Sequence, residues 1–173
     1  MRITDLEVIL IKAGQRGNWI FIQLNTSCGI IGLGEASQSG DDSLVIEAIK
    51  ELVEQIRGDN PLQVELIWKK MVQESRILDS YTGRVGATAI SAIDQTLWDI
   101  RGKYFGLPIW RILGGCHHKK VQLYANINRG LIDRSPDGFA EKAKKALKTG
   151  FKELNVHLSM EFTSRIIEKR MLN

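Results

Sequence analysis

The sequence predicts an α+β fold, a three-stranded antiparallel meander with a helical bundle, followed by a single βαβ unit. Three observations predict it. Over roughly the first forty residues apolar side chains come in strand-length runs; beyond them the period becomes helical, at about 3.6 residues. The strand runs at the start are joined by turn-forming residues, which favours antiparallel pairing. Near the C-terminus two strand-like runs, Val121–Asn128 and Lys152–Leu158, flank one helical stretch. That order implies a parallel pair with a right-handed crossover.

The elements follow in chain order. Arg2–Lys12 is rich in Ile, Val and Leu, Trp19–Asn25 is a second apolar run, and Ile30–Ala36 is a third. Ala13–Asn18 is the longer first loop, and Thr26-Ser27-Cys28-Gly29 is a tight turn in which Gly29 can take a positive φ. A helix then starts at Asp41 or Asp42, carries Leu44, Ala48, Leu52 and Ile56 at four-residue spacing, and ends at Gly58. Asn60-Pro61 predicts a second helix, with Asn as cap, Pro in the first position and an apolar face of Val64, Ile67, Trp68, Met71 and Val72. After a polar link over Ser80–Arg84, a long helix is expected from about Gly86 to Phe105. Ile90, Ile93, Leu97 and Ile100 make its stripe, and Ala87, Ala89 and Ala92 allow close approach. A short helix, Pro108–Leu113, is closed by Gly114-Gly115. In the βαβ unit Ser135-Pro136-Asp137 opens the helix as cap, first position and dipole-favoured acid. Ser159–Asn173 reads as a weak helix.

The 173 residues are 43% hydrophobic and 25% charged, which excludes a disordered or repetitive chain and suits a globular core. The net charge is +4. Lys142, Lys144, Lys145 and Lys148 form a solvated helix face, and no basic stripe interleaves with aromatics, so no nucleic-acid partner is expected. Cys28 and Cys116 make no disulfide framework. No apolar run approaches the ~18 residues needed to cross a membrane, and the opening Met1-Arg2-Ile3-Thr4-Asp5 is not a targeting leader. The expected location is cytoplasmic, with no membrane partner.

Chemistry can sit at the C-terminal ends of the last two strands. Alternation puts Leu154, Val156 and Leu158 on one face and Glu153, Asn155 and His157 on the other. A strand inside a parallel sheet is ordinarily apolar on both faces, so polar groups here point to a site. His157 is a candidate acid/base because imidazole titrates near neutrality; the alternative is a solvated strand-end residue. Asn126, Asn128 and Arg129 end the preceding strand. They could bind a carboxylate or hydroxyls, or satisfy local backbone groups. Cys116-His117-His118 has no second ligand cluster at zinc-like spacing. Gly32-x-Gly34 follows an antiparallel meander and lacks the full dinucleotide fingerprint.

The run Gly32-Leu33-Gly34-Glu35-Ala36, the long stretch from Gly86-Ala87-Thr88 through Asp94-Gln95-Thr96-Leu97-Trp98-Asp99-Ile100-Arg101-Gly102-Lys103, then Gly106-Leu107-Pro108 and Leu113-Gly114-Gly115 closely resemble the mandelate racemase/muconate lactonizing branch of the enolase superfamily. Tyr124-Ala125-Asn126-Ile127-Asn128 is similar to its acid-sugar dehydratase-like members. The resemblance covers residues 1 to about 158. It implies an N-terminal α+β capping domain over 1–118 and, over 119–173, the first βαβ of a truncated (β/α) barrel.

The family abstracts the proton α to a carboxylate, and a divalent metal, usually Mg²⁺, stabilises the enediolate before racemisation, cycloisomerisation or dehydration. The physical need is a cation beside the developing negative charge. Cap loops select the substrate; by resemblance these are Gln15, Arg16 and Trp19, and the stretch from Ser37 to Asp41. The second barrel strand of the family carries Lys-x-Lys or Lys-x-His, which here falls on Asn155 and His157. The base is kept and the first Lys is replaced. The family's metal ligands lie on later strands, and residues 121–173 hold two strands where a whole barrel takes ~250 residues. The expectation is therefore an N-terminal portion of such an enzyme, inactive alone, with no cofactor of its own; Mg²⁺ and a small carboxylate or acid-sugar substrate belong to the full-length relative. Two alternatives are a non-catalytic interaction module, which could form homo-oligomers through the exposed barrel remnant, and one half of an enzyme complemented by another chain.

Overall fold

Three antiparallel strands open the chain: β1 (Ile3–Lys12), β2 (Asn18–Thr26) and β3 (Ile31–Glu35), in the order β1-β2-β3. The structure, a computed structural model, describes residues 1–13, 17–37, 40–81, 83–128 and 131–156. It divides into two compact units, Met1–Cys116 and His117–Asn173.

β2 is central and alternates strictly: Ile20, Ile22, Leu24 and Thr26 are buried, and the residues between them are half-buried. Opposite it, Val8 pairs with Ile22 on β1, and Gly34 pairs with Ile22 on β3. The turn after β2 closes with the Gly29 N–H donating to the Thr26 carbonyl at 3.0 Å, with Gly29 at φ 83°.

α1 (Asp42–Ile56) lays Val45, Ala48, Ile49, Leu52, Val53 and Ile56 into the core. Asp41 stands at its N-cap, but its carboxylate accepts from Arg84 Nη2 at 2.6 Å rather than from the helix backbone. The second helix starts later than Asn60-Pro61 predicts. Asn60 instead forms a turn, with its Oδ1 accepting from the Leu62 N–H (3.2 Å) and its carbonyl from the Gln63 N–H (3.0 Å). α2 is Val64–Lys69. It runs into a π-helical turn, Lys70–Glu74, and the Ser75 N–H donates to the Lys70 carbonyl. Arg76 then takes a left-handed conformation at φ 55°. Val64, Ile67 and Met71 of the expected face are buried, whereas Trp68 is exposed. α3 (Ile77–Ser80) precedes the expected polar link and overlaps it only at Ser80.

The 23-residue α4 (Gly83–Phe105) begins three residues earlier than expected and supplies Ala89, Ile90, Ala92, Ile93, Leu97 and Ile100 to the core. It stops as its sequence predicts: the Leu107 N–H reaches back to the Gly102 carbonyl at 2.9 Å, with Gly106 left-handed between them. α5 (Ile109–Ile112) follows, with Pro108 as its N-cap. Every residue of the buried core cluster lies between Ile3 and Ile100.

The Gly32-x-Gly34 pair has a packing role. A Cβ built on Gly32 would lie 2.3 Å from the Thr96 carbonyl oxygen, and one on Gly34 would lie 2.2 Å from that of Ala92. α4 therefore crosses β3 with backbone nearly on backbone, a separation that any side chain would prevent.

In the second unit β4 (Tyr124–Asn126) and β5 (Glu153–Asn155) pair in parallel around α6 (Pro136–Lys148). Ser135 caps α6, its Oγ accepting from the Gly138 N–H at 3.1 Å. Both strands are shorter than the expected runs. Among the described residues each pairs on one side only, so Val121 and Leu123 lack a ladder and stand exposed.

Candidate functional site

The register of the parallel pair sets Asn126 directly opposite Asn155, at the C-terminal ends of β4 and β5. Asn128 ties them together. Its Nδ2 donates to the Asn155 carbonyl at 3.0 Å, to Asn155 Oδ1 at 3.3 Å and to Asn126 Oδ1 at 3.2 Å. Its backbone N–H donates to the same Asn126 oxygen at 3.1 Å. Asn126 Oδ1 is thus filled as an acceptor. Among the described residues the Nδ2 groups of Asn126 and Asn155 donate no hydrogen bond, and both residues are exposed. The result is a neutral cluster with amide donors to spare.

Such a cluster can bind the oxygens of a carboxylate or a polyol. It cannot take a proton from carbon, because an amide has no basic site near neutral pH. A base must come from elsewhere. His157 and Arg129 lie outside the described residues, as do Gln15, Arg16 and the expected helix 159–173. Among the described residues no group of three or more His, Cys, Asp and Glu side chains could hold a metal ion.

Trp19 and Ser37 meet at one end of the three-stranded sheet. Ser37 Oγ accepts from the Ile20 N–H at 3.1 Å and the Ala36 N–H donates to the Ile20 carbonyl at 2.8 Å, which carries the β2–β3 ladder beyond Glu35. Trp19 is exposed and stands edge-on to Phe21, with ring centroids 6.5 Å apart. Beside them Asn18 Nδ2 donates to Asp42 Oδ2 at 2.7 Å, tying the sheet to α1. A groove of about 590 Å³ lies elsewhere on this unit, lined by Leu33, Trp98, Ile109 and Leu113 among others, and no candidate site residue borders it.

The polar side of α4 has a role that sequence reasoning passed over. Gln95, Asp99 and Lys103 recur at four-residue spacing and all reach the backbone of β3. Gln95 Oε1 accepts from the Glu35 N–H at 3.1 Å, and its Nε2 donates to the Glu35 carbonyl at 3.2 Å. Asp99 Oδ2 accepts from the Leu33 N–H at 2.8 Å. Lys103 Nζ donates to the Ile31 carbonyl at 2.7 Å and to Asp99 at 2.6 Å. The available signal was the four-residue polar repeat on a helix that follows a glycine-rich edge strand. Nearby, burial pushes the Asp94 carboxyl above its ordinary range; the Glu65 charge adds to this and a hydrogen bond with Trp98 opposes it.

An antiparallel α+β domain, followed in sequence by a parallel βαβ unit with polar strand ends, is the architecture of a capping domain and the opening of a (β/α) barrel. Residues 7–114 match the family model of the mandelate racemase/muconate lactonizing enzyme N-terminal domain. The chain belongs to that family, within the enolase superfamily. A D-galactonate dehydratase family member from Cellvibrio japonicus is 31% identical over 157 residues, 90% of this chain and 37% of the relative. A D-mannonate dehydratase from Caulobacter vibrioides is 32% identical over 158 residues, again 90% and 37%. Among solved structures, an enolase-superfamily member from Salmonella Typhimurium superposes with a TM-score of 0.80 at 30% identity, covering 90% of this chain and 42% of the other. The chain therefore spans well under half the length of these relatives.

Proposed function

We propose that this chain is the capping domain (1–118) and the first barrel strands (119–173) of a cytoplasmic acid-sugar dehydratase. The carrying observation is the Asn126–Asn128–Asn155 cluster at the C-terminal ends of two parallel strands, in a chain whose relatives include enzymes named as D-galactonate and D-mannonate dehydratases. The three asparagines hold the oxygens of a small polyhydroxy carboxylate, and Arg129 pairs with its carboxylate. His157, two residues after Asn155 in the sequence, holds the proton taken from the α-carbon. By resemblance to the family, Gln15, Arg16, Trp19 and Ser37 of the cap loops serve substrate selection. In this family Mg²⁺ supplies the cation that meets enediolate charge; ligands for one are not among the described residues. The chain alone binds substrate weakly and does not turn it over.

The test is a titration of the 173-residue chain with D-mannonate and D-galactonate, following the side-chain amide resonances of Asn126 and Asn155. Saturable shifts are expected, weakened about fivefold by Asn128→Ala, in line with one lost hydrogen bond of about 1 kcal/mol. Absence of any shift at tens of millimolar ligand would overturn the assignment. Turnover to a keto acid by the chain alone, with Mg²⁺ present, would overturn the inactive part of the reading.

The exposure of Val121 (75%), Leu123 (68%) and Val156 (42%) favours a second reading, an interaction module that associates through this face, either with a copy of itself or with a chain completing the barrel. Leu154→Asp together with Val156→Asp should then abolish association; unchanged association would dismiss it.

A further inference from the structure

β3 is the edge of its sheet, and four of the backbone groups it turns outward are taken. The Leu33 N–H, the Glu35 N–H and carbonyl, and the Ile31 carbonyl are bonded by Asp99, Gln95 and Lys103. The pairing is ordered: residue 95 meets 35, 99 meets 33 and 103 meets 31, so the helix runs antiparallel to the strand. Four residues of helix rise about 6.0 Å, and two residues of strand rise about 6.6–6.8 Å, so one rung of side chains serves each outward-facing residue. Gln95 goes furthest. Its amide exchanges both hydrogen bonds with Glu35, as one residue does with another across a hydrogen-bonded antiparallel pair.

These bonds are solvent-exposed, and the Lys103–Asp99 pair is half-exposed. Exposed polar contacts of this kind add little to stability. Their weight lies in what they exclude. β3 carries two glycines and two exposed aliphatic side chains, Ile31 and Leu33, and an uncovered edge of that composition is a template for another strand. In an antiparallel sheet the readiest partner is the same edge of a second copy, related by a two-fold axis.

We propose that the Gln95–Asp99–Lys103 face of α4 is a surrogate fourth strand that closes the β3 edge to a second copy of this chain. This role is independent of the substrate reading.

The test uses the 173-residue chain with Gln95→Ala and Asp99→Ala together. Hydrogen exchange at the Leu33 and Glu35 amides should rise tenfold or more while the Ile22 amide, inside the sheet, stays protected. Sedimentation should show association beyond that of the unaltered chain at equal concentration. Adding Leu33→Lys, which puts a charge on the edge, should remove the extra association. Asp99→Asn keeps an acceptor oxygen for the Leu33 amide and should leave both readouts unchanged. Should the double variant fail to fold by circular dichroism, Gln95→Ala alone bares Glu35 and carries the same two readouts there. Edge amides that stay protected, bared amides without extra association, or association that survives Leu33→Lys would each overturn the proposal; the last would place the contact on the apolar face of the second unit.

Discussion

Asp94 shows how one carboxyl can work against the fold that holds it. Burial on α4, with Glu65 nearby, raises its pKa above the ordinary range. The native state then keeps a proton that the unfolded chain releases, so stability falls as pH rises from the unfolded pKa, about 3.9, through the raised folded one. Asp94→Asn keeps an oxygen for Trp98 and removes the charge. We expect it to melt higher than the unaltered chain at pH 7 and to converge with it below about pH 3.5, where both states are protonated. A thermal melt at the two pH values checks this, and an equal or lower melting point at pH 7 would refute it. Nothing in the residue pattern announces this, because burial of a single position on a mostly exposed helix face depends on which neighbours fold over it. The asparagines were legible: alternation alone put Asn155 on the polar face. Their joining through Asn128 was not, since it depends on the strand register.

Between elements the decisive contact is α4 against β3. Ala at Gly34 would set a Cβ 2.2 Å from the Ala92 carbonyl oxygen and 2.9 Å from Thr96 Cγ2. A backbone oxygen in a helix cannot swing aside, so the whole helix must lift. Gly34→Ala should cost about 3 kcal/mol or more, at the upper end of overpacking changes, seen as a lower urea midpoint. Gly83→Ala, with nothing within 4 Å of the new carbon, should shift it little. The glycine pair was visible in the sequence, but its purpose was not, because a one-dimensional pattern does not say which helix lies over a strand. The meander, α1 and α4 were legible from their periods and turn residues. The π-helical turn and left-handed Arg76 were not. They break the helical repeat where Ser75 Oγ accepts from the Ile77 N–H and also bonds the Met71 carbonyl, a local bargain that periodicity averages away.

For the molecule as a whole, the core cluster runs from Ile3 to Ile100 and so falls wholly within Met1–Cys116. That unit should fold by itself. Residues 1–116 expressed alone are expected to melt cooperatively within a few degrees of the full chain, whereas 117–173 alone should show no cooperative transition, as the two strands and one helix among its described residues bury too little. Calorimetry of the two pieces decides it. The ladder on β3 also works like a vernier. Its two scales differ by roughly 0.7 Å per rung, so they agree over about three rungs and then fall out of step. β3 is five residues long, about the longest edge that a straight helix can shadow in this way. The mismatch between two backbone repeats thereby bounds how far this sheet can lengthen along its guarded side.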